Sequence, residues 1–337
     1  MSEKEITFQE ALRESLHNAM AKDQNLVVIG EDVGPWGGSY GVARGLYQEF
    51  GQDRVRDTPI SESAIIGYSI GAALNGVRVV CEIQFCDILP VCWDQLANQA
   101  AKYFYMSGGT APVPMTIRVK YGTREGGGPS HAQTIHGAFQ QFPGLKVAVP
   151  GTPADAKGML TAAINDPNPV LFMESHHLYR VKGLVPEEAD FSIPLGQASV
   201  LRRGEDLSII TCGGMVPKAL QAAESLEKEG ISAEVVNLRT VVPLDRETIL
   251  KSARKTGRVI IFDEGPLAGG VTAEVGAVVA ENLFEELKAP IVRIGSQTVP
   301  PPYSPVLTRA VIPNVTQVVE AGLQIVKGKG RALRVPS

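Results

Sequence analysis

Short apolar runs rich in β-branched residues alternate with helix-like segments along the whole 337-residue chain, and that alternation admits few architectures. Strands apolar along their full length are buried on both faces, and a helix between successive strands is the crossover that joins parallel neighbours. The runs form two blocks. In the first, LVVIG (26–30), VRVVCEIQF (77–85), MTIRVKYG (115–122), LKVAVPG (145–151) and PVLFME (169–174) read as strands. Helical segments separate them: 6–23, one opened by Glu62, WDQLANQAAKYFYMSG (93–108), and one after Pro150. In the second block the strands are LSIITCGG, SAEVVNLRTVV, GRVIIFDE and APIVRIGS, with helices at 215–230, 245–257, about 270–287 and 316–328. Between them, residues 181–203 lose the helical period and gather prolines and charge, as a linker with one edge strand would. The expectation is an α/β fold of two doubly wound domains, 1–180 and 204–337, the number suited to this length.

Two helices carry local signatures. Trp93, Leu96, Ala97, Ala100 and Phe104 share one face at helical spacing. Thr152, Pro153 and Asp155 supply a cap, a first-turn proline and a first-turn acid.

Thirty-two basic against 36 acidic residues give a net charge of -4, and the basic residues are scattered, which argues against nucleic acid as a partner. The N-terminal stretch has early acids and no apolar core, and no run of about 18 apolar residues occurs, so the reading is a cytoplasmic protein with no membrane partner. Cys81, Cys86, Cys92 and Cys212 lack CxxC spacing and read as small buried hydrophobes.

Glu62 follows TPIS and precedes AIIGYSIGAAL, a helix body without charge. Ser61 offers an N-cap, and an acid in the first turn is favoured by the helix dipole. An exposed Glu needs no more explanation than that. A Glu secluded in an apolar pocket would hold its proton and could donate a hydrogen bond to a ring nitrogen, while Gly67 and Gly71 would give a smooth face for close approach. Spacing alone leaves both readings open. His131 lies in YGTREGGGPSHAQ, read as a mobile loop presenting a histidine; solvent exposure without function is the alternative. His136 is a weaker candidate, His176 and His177 finish a strand, and His17 belongs to an amphipathic helix. No GxGxxG follows the first strand, no lysine-serine or lysine-threonine pair follows the glycine run, HExxH and EF-hand patterns are absent, and no GxSxG elbow joins a strand to a helix, since GYSIG (67–71) lies within the Glu62 helix; this disfavours nicotinamide dehydrogenases, P-loop enzymes, zinc hydrolases and serine hydrolases.

The motifs GEDVG (30–34), RVRDTPISES (54–63), CEIQF (81–85), WDQLANQAAKYFYMSGG, SHAQ (130–133), FPGLKVAVPGTPADAKG, NDPNPVLFMES and NLRTVVPLDRETI occur in order over nearly the whole length. In these the chain resembles the β subunit of the thiamine diphosphate-dependent decarboxylase component of 2-oxo acid dehydrogenase complexes. The resemblance implies an N-terminal pyrimidine-binding, transketolase-like domain and a C-terminal transketolase-type domain, assembled with α subunits into an α2β2 heterotetramer. It implies a thiamine diphosphate cofactor shared with the α subunit, which holds magnesium and the diphosphate through a GDG motif. No GDG occurs in this sequence. Glu62 matches the glutamate that faces the aminopyrimidine ring and shares a proton with it; His131 matches the histidine that moves protons as the acyl group passes to lipoyl sulfur. Gln84 and Ile88 match positions lining the cofactor pocket, and Met115, Ala163, Ile164, Asp166 and Asn168 match those holding a potassium ion through backbone carbonyls. A dihydrolipoyl acyltransferase core is the further implied partner. Two positions depart from the pattern: Ile88 stands where relatives often place an aromatic ring, and Ala132 where serine usually follows the histidine. Oxidative decarboxylation of a 2-oxo acid with acyl transfer to lipoyl groups is the expected activity. An acetoin-cleaving β subunit, a transketolase-like ketol-transfer subunit with Arg118, Lys120 and Arg124 along its channel, and a catalytically silent assembly subunit are the alternatives.

Overall fold

The computed structural model describes residues 2–328, so the end of the expected second domain, 329–337, lies outside the described residues. The chain forms two compact units. One runs through Tyr121 and resumes over Phe139–Leu195; the other comprises Gly122–Ala138 and the chain from Gly196 on.

The first unit contains β1 (Glu3–Thr7), α1 (Phe8–Lys22), β2 (Leu26–Gly30), α2 (Leu46–Phe50), β3 (Val55–Asp57), α3 (Glu62–Leu74), β4 (Arg78–Ile83), α4 (Tyr103–Met106), β5 (Met115–Tyr121), β6 (Lys146–Ala148), α5 (Pro153–Asn165), β7 (Val170–Ser175) and β8 (Lys182–Pro186). Its main sheet runs β6-β7-β5-β4-β2-β3 with every pair parallel. β1 and β8 pair antiparallel in a small sheet of their own. β8 therefore ties the start of the expected linker into this unit.

α1 shows why such a helix forms. Thr7 and Glu10 close a capping box, and Phe8, Leu12, Leu16 and Met20, four residues apart, are fully buried. They pack with Met159, Leu160 and Ala163 of α5 and with Val28, Val80 and Phe172 of the sheet. α5 starts as its sequence predicts, Thr152 accepting from the Asp155 amide at 3.1 Å.

The helix expected over 93–108 is broken. Residues 86–92 form a 3-10 turn and Gln95–Ala100 a π turn, with the Ala101 amide reaching back five residues to the Leu96 carbonyl. The extra residue per turn rotates the face, so Leu96, Ala97 and Ala100 stay buried while Phe104 is 39% exposed. Trp93 packs instead on Phe139 and Phe142, at centroid distances of 5.1 and 5.0 Å.

Gly144 turns the chain just before β6 with φ +96°, and a Cβ there would sit on the Ala101 carbonyl oxygen. Positive φ and overpacking together predict that Gly144→Ala loses roughly 2–4 kcal/mol. Urea unfolding should show this as a lower midpoint at unchanged slope; a midpoint equal to that of the parent would refute it.

The second unit contains β9 (Ser199–Arg202), β10 (Leu207–Thr211), α6 (Val216–Lys228), β11 (Ala233–Asn237), the short β12 (Thr240–Val242), α7 (Arg246–Thr256), β13 (Val259–Pro266), α8 (Val271–Leu283), β14 (Val292–Ser296), α9 (Pro305–Val311) and α10 (Val315–Lys327). Its sheet runs β14-β13-β10-β11-β9, parallel except for the edge strand β9. Leu207, Ile209, Val235, Ile260 and Phe262 form the sheet's part of the core, against Ala219, Ala222 and Leu226 of α6 and Val318 and Ala321 of α10. The alanine-rich helix ends at Leu283, short of the expected 287, and finishes in a 3-10 turn. All four cysteines are free and buried, and burial pushes Cys81 and Cys92 up to about 12, so they remain neutral thiols. Among the described residues no helix is long and apolar enough to cross a membrane.

Candidate active site

In an open parallel sheet, ligands bind beyond the carboxyl ends of the strands where the strand order reverses. In the first unit the chain moves from β2 to β3 on one side and from β4 to β5 on the other, so the reversal lies at β2 and β4. Glu31 follows β2, Gln84 follows β4, and Glu62 opens α3, the crossover from β3 to β4. The fold thus gathers three polar side chains at the place where such a sheet takes its ligand.

Glu62 and Glu31 are each only 8% exposed. Burial, the neighbouring Glu62 carboxylate and a hydrogen bond to it raise Glu31 to about 7. Two carboxyl groups this close disfavour a second negative charge, so Glu31 keeps a proton available to Glu62 up to near neutrality. The exposed-cap reading of Glu62 fails on this burial. Ser61 makes no side-chain cap hydrogen bond; the helix entry is held instead by Ser63, whose hydroxyl donates to the Val91 carbonyl at 2.6 Å. Sequence reasoning missed Glu31, although its signal, an acid directly after a strand in GEDVG, was on display.

α3 packs along the 86–92 turn that carries Ile88. Cys86, Leu89 and Cys92 anchor that turn in the core, leaving Ile88 and Gln84 half-buried at the rim. Gly71 presents open space, and a Cβ at Gly67 would meet only Gln95 at 3.9 Å, so no backbone of the described residues makes the close approach those glycines permit.

Beneath the loop after β2 lies a buried charge network. Arg118 donates to both oxygens of Glu174 at 2.7 and 2.9 Å and to Glu82 at 2.7 Å, and the Tyr179 hydroxyl also bonds Glu174. The Lys120 ammonium sits over the rings of Tyr40 and Tyr179, 3.8 Å from the latter's centroid. Arg118 and Lys120 are therefore buried and engaged in the protein interior, which weakens their claim to line a sugar-phosphate channel.

His131 belongs to the second unit and is exposed. Its Nδ1 lies 2.9 Å from the Ser130 hydroxyl, so a serine before the ring supplies the contact that Ala132 cannot. The loop is held more firmly than the sequence predicts. The Gly122 amide donates to the Gln133 carbonyl at 3.2 Å and the Gly126 amide to the Tyr303 carbonyl at 3.3 Å, while Glu125 pairs with Arg309. Gly126 and Gly128 take φ of +76° and +68°, which glycine alone adopts without strain.

His136 is buried and its Nε2 lies 3.0 Å from Asp263 Oδ2, while the Cys212 thiol donates to Oδ1 at 3.5 Å. Burial acts to lower His136, but the adjacent Asp263 charge and the hydrogen bond to it raise it on balance. For Asp263 burial acts upward, but the His136 charge and hydrogen bonds from His136, the Gly265 amide and the Cys212 thiol lower it on balance. His176 and His177 form a short turn after β7, and His17 bonds Glu49.

At the end of α5, the Asp166 amide donates to the Ala163 carbonyl at 3.2 Å and the Asn168 amide to Asp166 Oδ1 at 2.9 Å. Arg78 donates to the Ile164 carbonyl at 2.5 Å, and Lys146 pairs with Asp166. Met115 opens β5. The Ala163 and Ile164 carbonyls and the Asp166 carboxylate are hard oxygen donors, and each already has a partner within the chain.

Residues 4–182 match the transketolase pyrimidine-binding domain family, and residues 196–318 the transketolase C-terminal domain family. The chain is 42% identical over 335 residues to the acetoin:2,6-dichlorophenolindophenol oxidoreductase subunit beta of Cupriavidus necator, covering 96% of this chain and 98% of that one. It is 43% identical over 324 residues to the pyruvate dehydrogenase E1 component subunit beta of Bacillus subtilis, covering 96% and 99%. The chain belongs to the β-subunit family of the thiamine diphosphate-dependent 2-oxo acid dehydrogenases. A third relative, the 2-oxoisovalerate dehydrogenase subunit beta of Bacillus subtilis, is 42% identical over 318 residues, covering 94% and 97%. A solved split-gene transketolase, described as an inactive beta4 tetramer, superposes on this β subunit with a TM-score of 0.76 at 25% identity, covering 96% of this chain and 98% of that one. Identity is nearly level across relatives named for three different substrates, so it does not rank those substrates for this β subunit.

Proposed function

We propose that this chain is the β half of a cytoplasmic α2β2 decarboxylase that oxidatively decarboxylates a 2-oxo acid and passes the acyl group to lipoyl groups on a dihydrolipoyl acyltransferase core. The observation that carries the proposal is the buried Glu62–Glu31 pair at the strand-order reversal, in a chain that lacks the GDG motif for a diphosphate. Thiamine diphosphate, when bound, supplies the nucleophilic carbon and the electron sink. Glu62 faces its aminopyrimidine and holds a proton at the ring nitrogen, drawing on Glu31; Gln84 and the aliphatic Ile88 line the same pocket. His131, from the glycine-rich loop, moves a proton during acyl transfer. The α subunit holds magnesium and the diphosphate, and Met115, Ala163, Ile164, Asp166 and Asn168 hold potassium through their oxygens. Such a β chain is inactive without α.

An acetoin-cleaving enzyme is the second reading, supported by the end-to-end similarity to acetoin oxidoreductase beta subunits from two organisms. One experiment serves both. The purified chain, its α partner and their mixture are assayed for dye reduction with pyruvate, 3-methyl-2-oxobutanoate and acetoin. Activity is expected only in the mixture, and the preferred compound assigns the substrate. Turnover by the β chain alone would refute the shared site, and none from a properly assembled mixture would favour a silent assembly subunit.

A further inference from the structure

The second unit has a strand-order reversal of its own. Its chain moves from β10 to β11 on one side and from β13 to β14 on the other, so a ligand crevice belongs at the carboxyl ends of β10 and β13. Cys212 follows β10, and Asp263 and Glu264 lie in β13. What meets these residues is the chain's own loop, 122–138.

Both feet of that loop land on consecutive acids. The Thr123 amide donates to Glu264 Oε1 at 2.6 Å, and His136 Nε2 lies 3.0 Å from Asp263 Oδ2. Neighbouring side chains on a strand point to opposite faces, so one carboxylate takes the loop's start and the other its end. Thr123, His136, Asp263 and Glu264 are all buried, whereas His131 between the feet is exposed. The Gly265 amide, at 3.1 Å, and the Cys212 thiol fix the Asp263 carboxylate from its other sides. Beside the second foot, Gly137 faces the backbone of Gly270 so closely that a Cβ would come within 2.9 Å of the Gly270 Cα. The apex is tied further by the Gly126 amide to the Tyr303 carbonyl and by the Glu125–Arg309 ion pair.

We propose that Asp263 and Glu264 are positioning residues for His131: the crevice of the second unit is a socket for the histidine loop, and the two acids set the height and orientation of its apex. The inference rests on the proposed role of His131, and its test separates the two. Asp263→Asn, Glu264→Gln and the exchanged pair His136→Asp with Asp263→His are each assembled with the α subunit, alongside His131→Ala. Hydrogen exchange of peptides spanning 122–138 is measured together with lipoyl acylation, dye reduction and the half-saturating concentration of thiamine diphosphate. Both single variants are expected to exchange faster in 122–138 and to acylate lipoyl groups roughly 10- to 100-fold more slowly, the scale of loss that a displacement near 1 Å produces. Their thiamine diphosphate requirement should match the parent's, and the exchanged pair should recover both protection and acylation. Unchanged protection in both single variants would overturn the proposal, and so would faster exchange with acylation at the parental rate. If Asp263→Asn does not assemble, the milder Glu264→Gln decides by the same two readouts. Parental acylation by His131→Ala would remove the histidine's role, while the exchange data would still judge the socket.

Discussion

Glu62→Gln should leave the heterotetramer intact and nearly abolish its turnover. Glutamine keeps the size and the hydrogen-bonding capacity of the side chain but cannot exchange a proton with a ring nitrogen, and loss of positioned acid-base catalysis costs roughly a hundred- to ten-thousandfold in rate. The side chain is 8% exposed and adjoins Glu31, so the substitution also removes one of two close carboxyl groups. Without that negative neighbour, Glu31 should titrate closer to the usual carboxylate range and be ionised at neutral pH. Size-exclusion profiles and cofactor half-saturation guard against a folding artefact; rates are read with dye and with lipoyl acceptor. Both rates should collapse together, because the step served by Glu62 precedes the choice of acceptor. Turnover within a few-fold of the parent in a complex that elutes normally would end the assignment.

His131→Ala should instead separate the two rates. The imidazole is exposed on its loop with Nδ1 beside the Ser130 hydroxyl, a contact that orients the ring without burying it. If it serves proton transfer as the acyl group moves to sulfur, lipoyl acylation should fall by roughly a hundredfold or more, whereas dye reduction, which needs no such transfer, falls far less. Equal loss in both assays would place its work earlier in the reaction; no loss in either would return it to the solvent-exposed reading.

The central strands of both sheets were legible because each is a largely apolar run, as burial on both faces requires. α5 and α7 were legible through their ends: Thr152 and Asp245 cap them, and Gly257 takes the left-handed conformation that stops α7. The broken helix after Trp93 was not. Apolar spacing cannot distinguish a π turn from an α turn when Leu96, Ala97 and Ala100 remain inside under either. β1, β3 and β8 were missed because each is short and partly exposed, without the uniform burial that marks the central strands. Glu62 could be singled out because it is an acid before an apolar helix. Its seclusion and its pairing with Glu31 could not, since both depend on the return of the chain through β3, which brings the two acids together. The ties on Asp263 and Glu264 were out of reach for the same reason: they link residues 127 and 141 positions apart, and nothing local in GRVIIFDE announces a partner.

The route of the chain through 122–138 also bears on how this protein is made. A ribosome releases that stretch long before Asp263 and Glu264, so until well over a hundred further residues have been added the nascent polypeptide carries a buried-type histidine, His136, with nowhere to bury it. Contacts this remote in sequence are slow to form. Cutting the gene near Gly196 would strand the loop on one fragment and its two acids on the other, so the first product would carry a segment with no seat and the second would lack part of its own module.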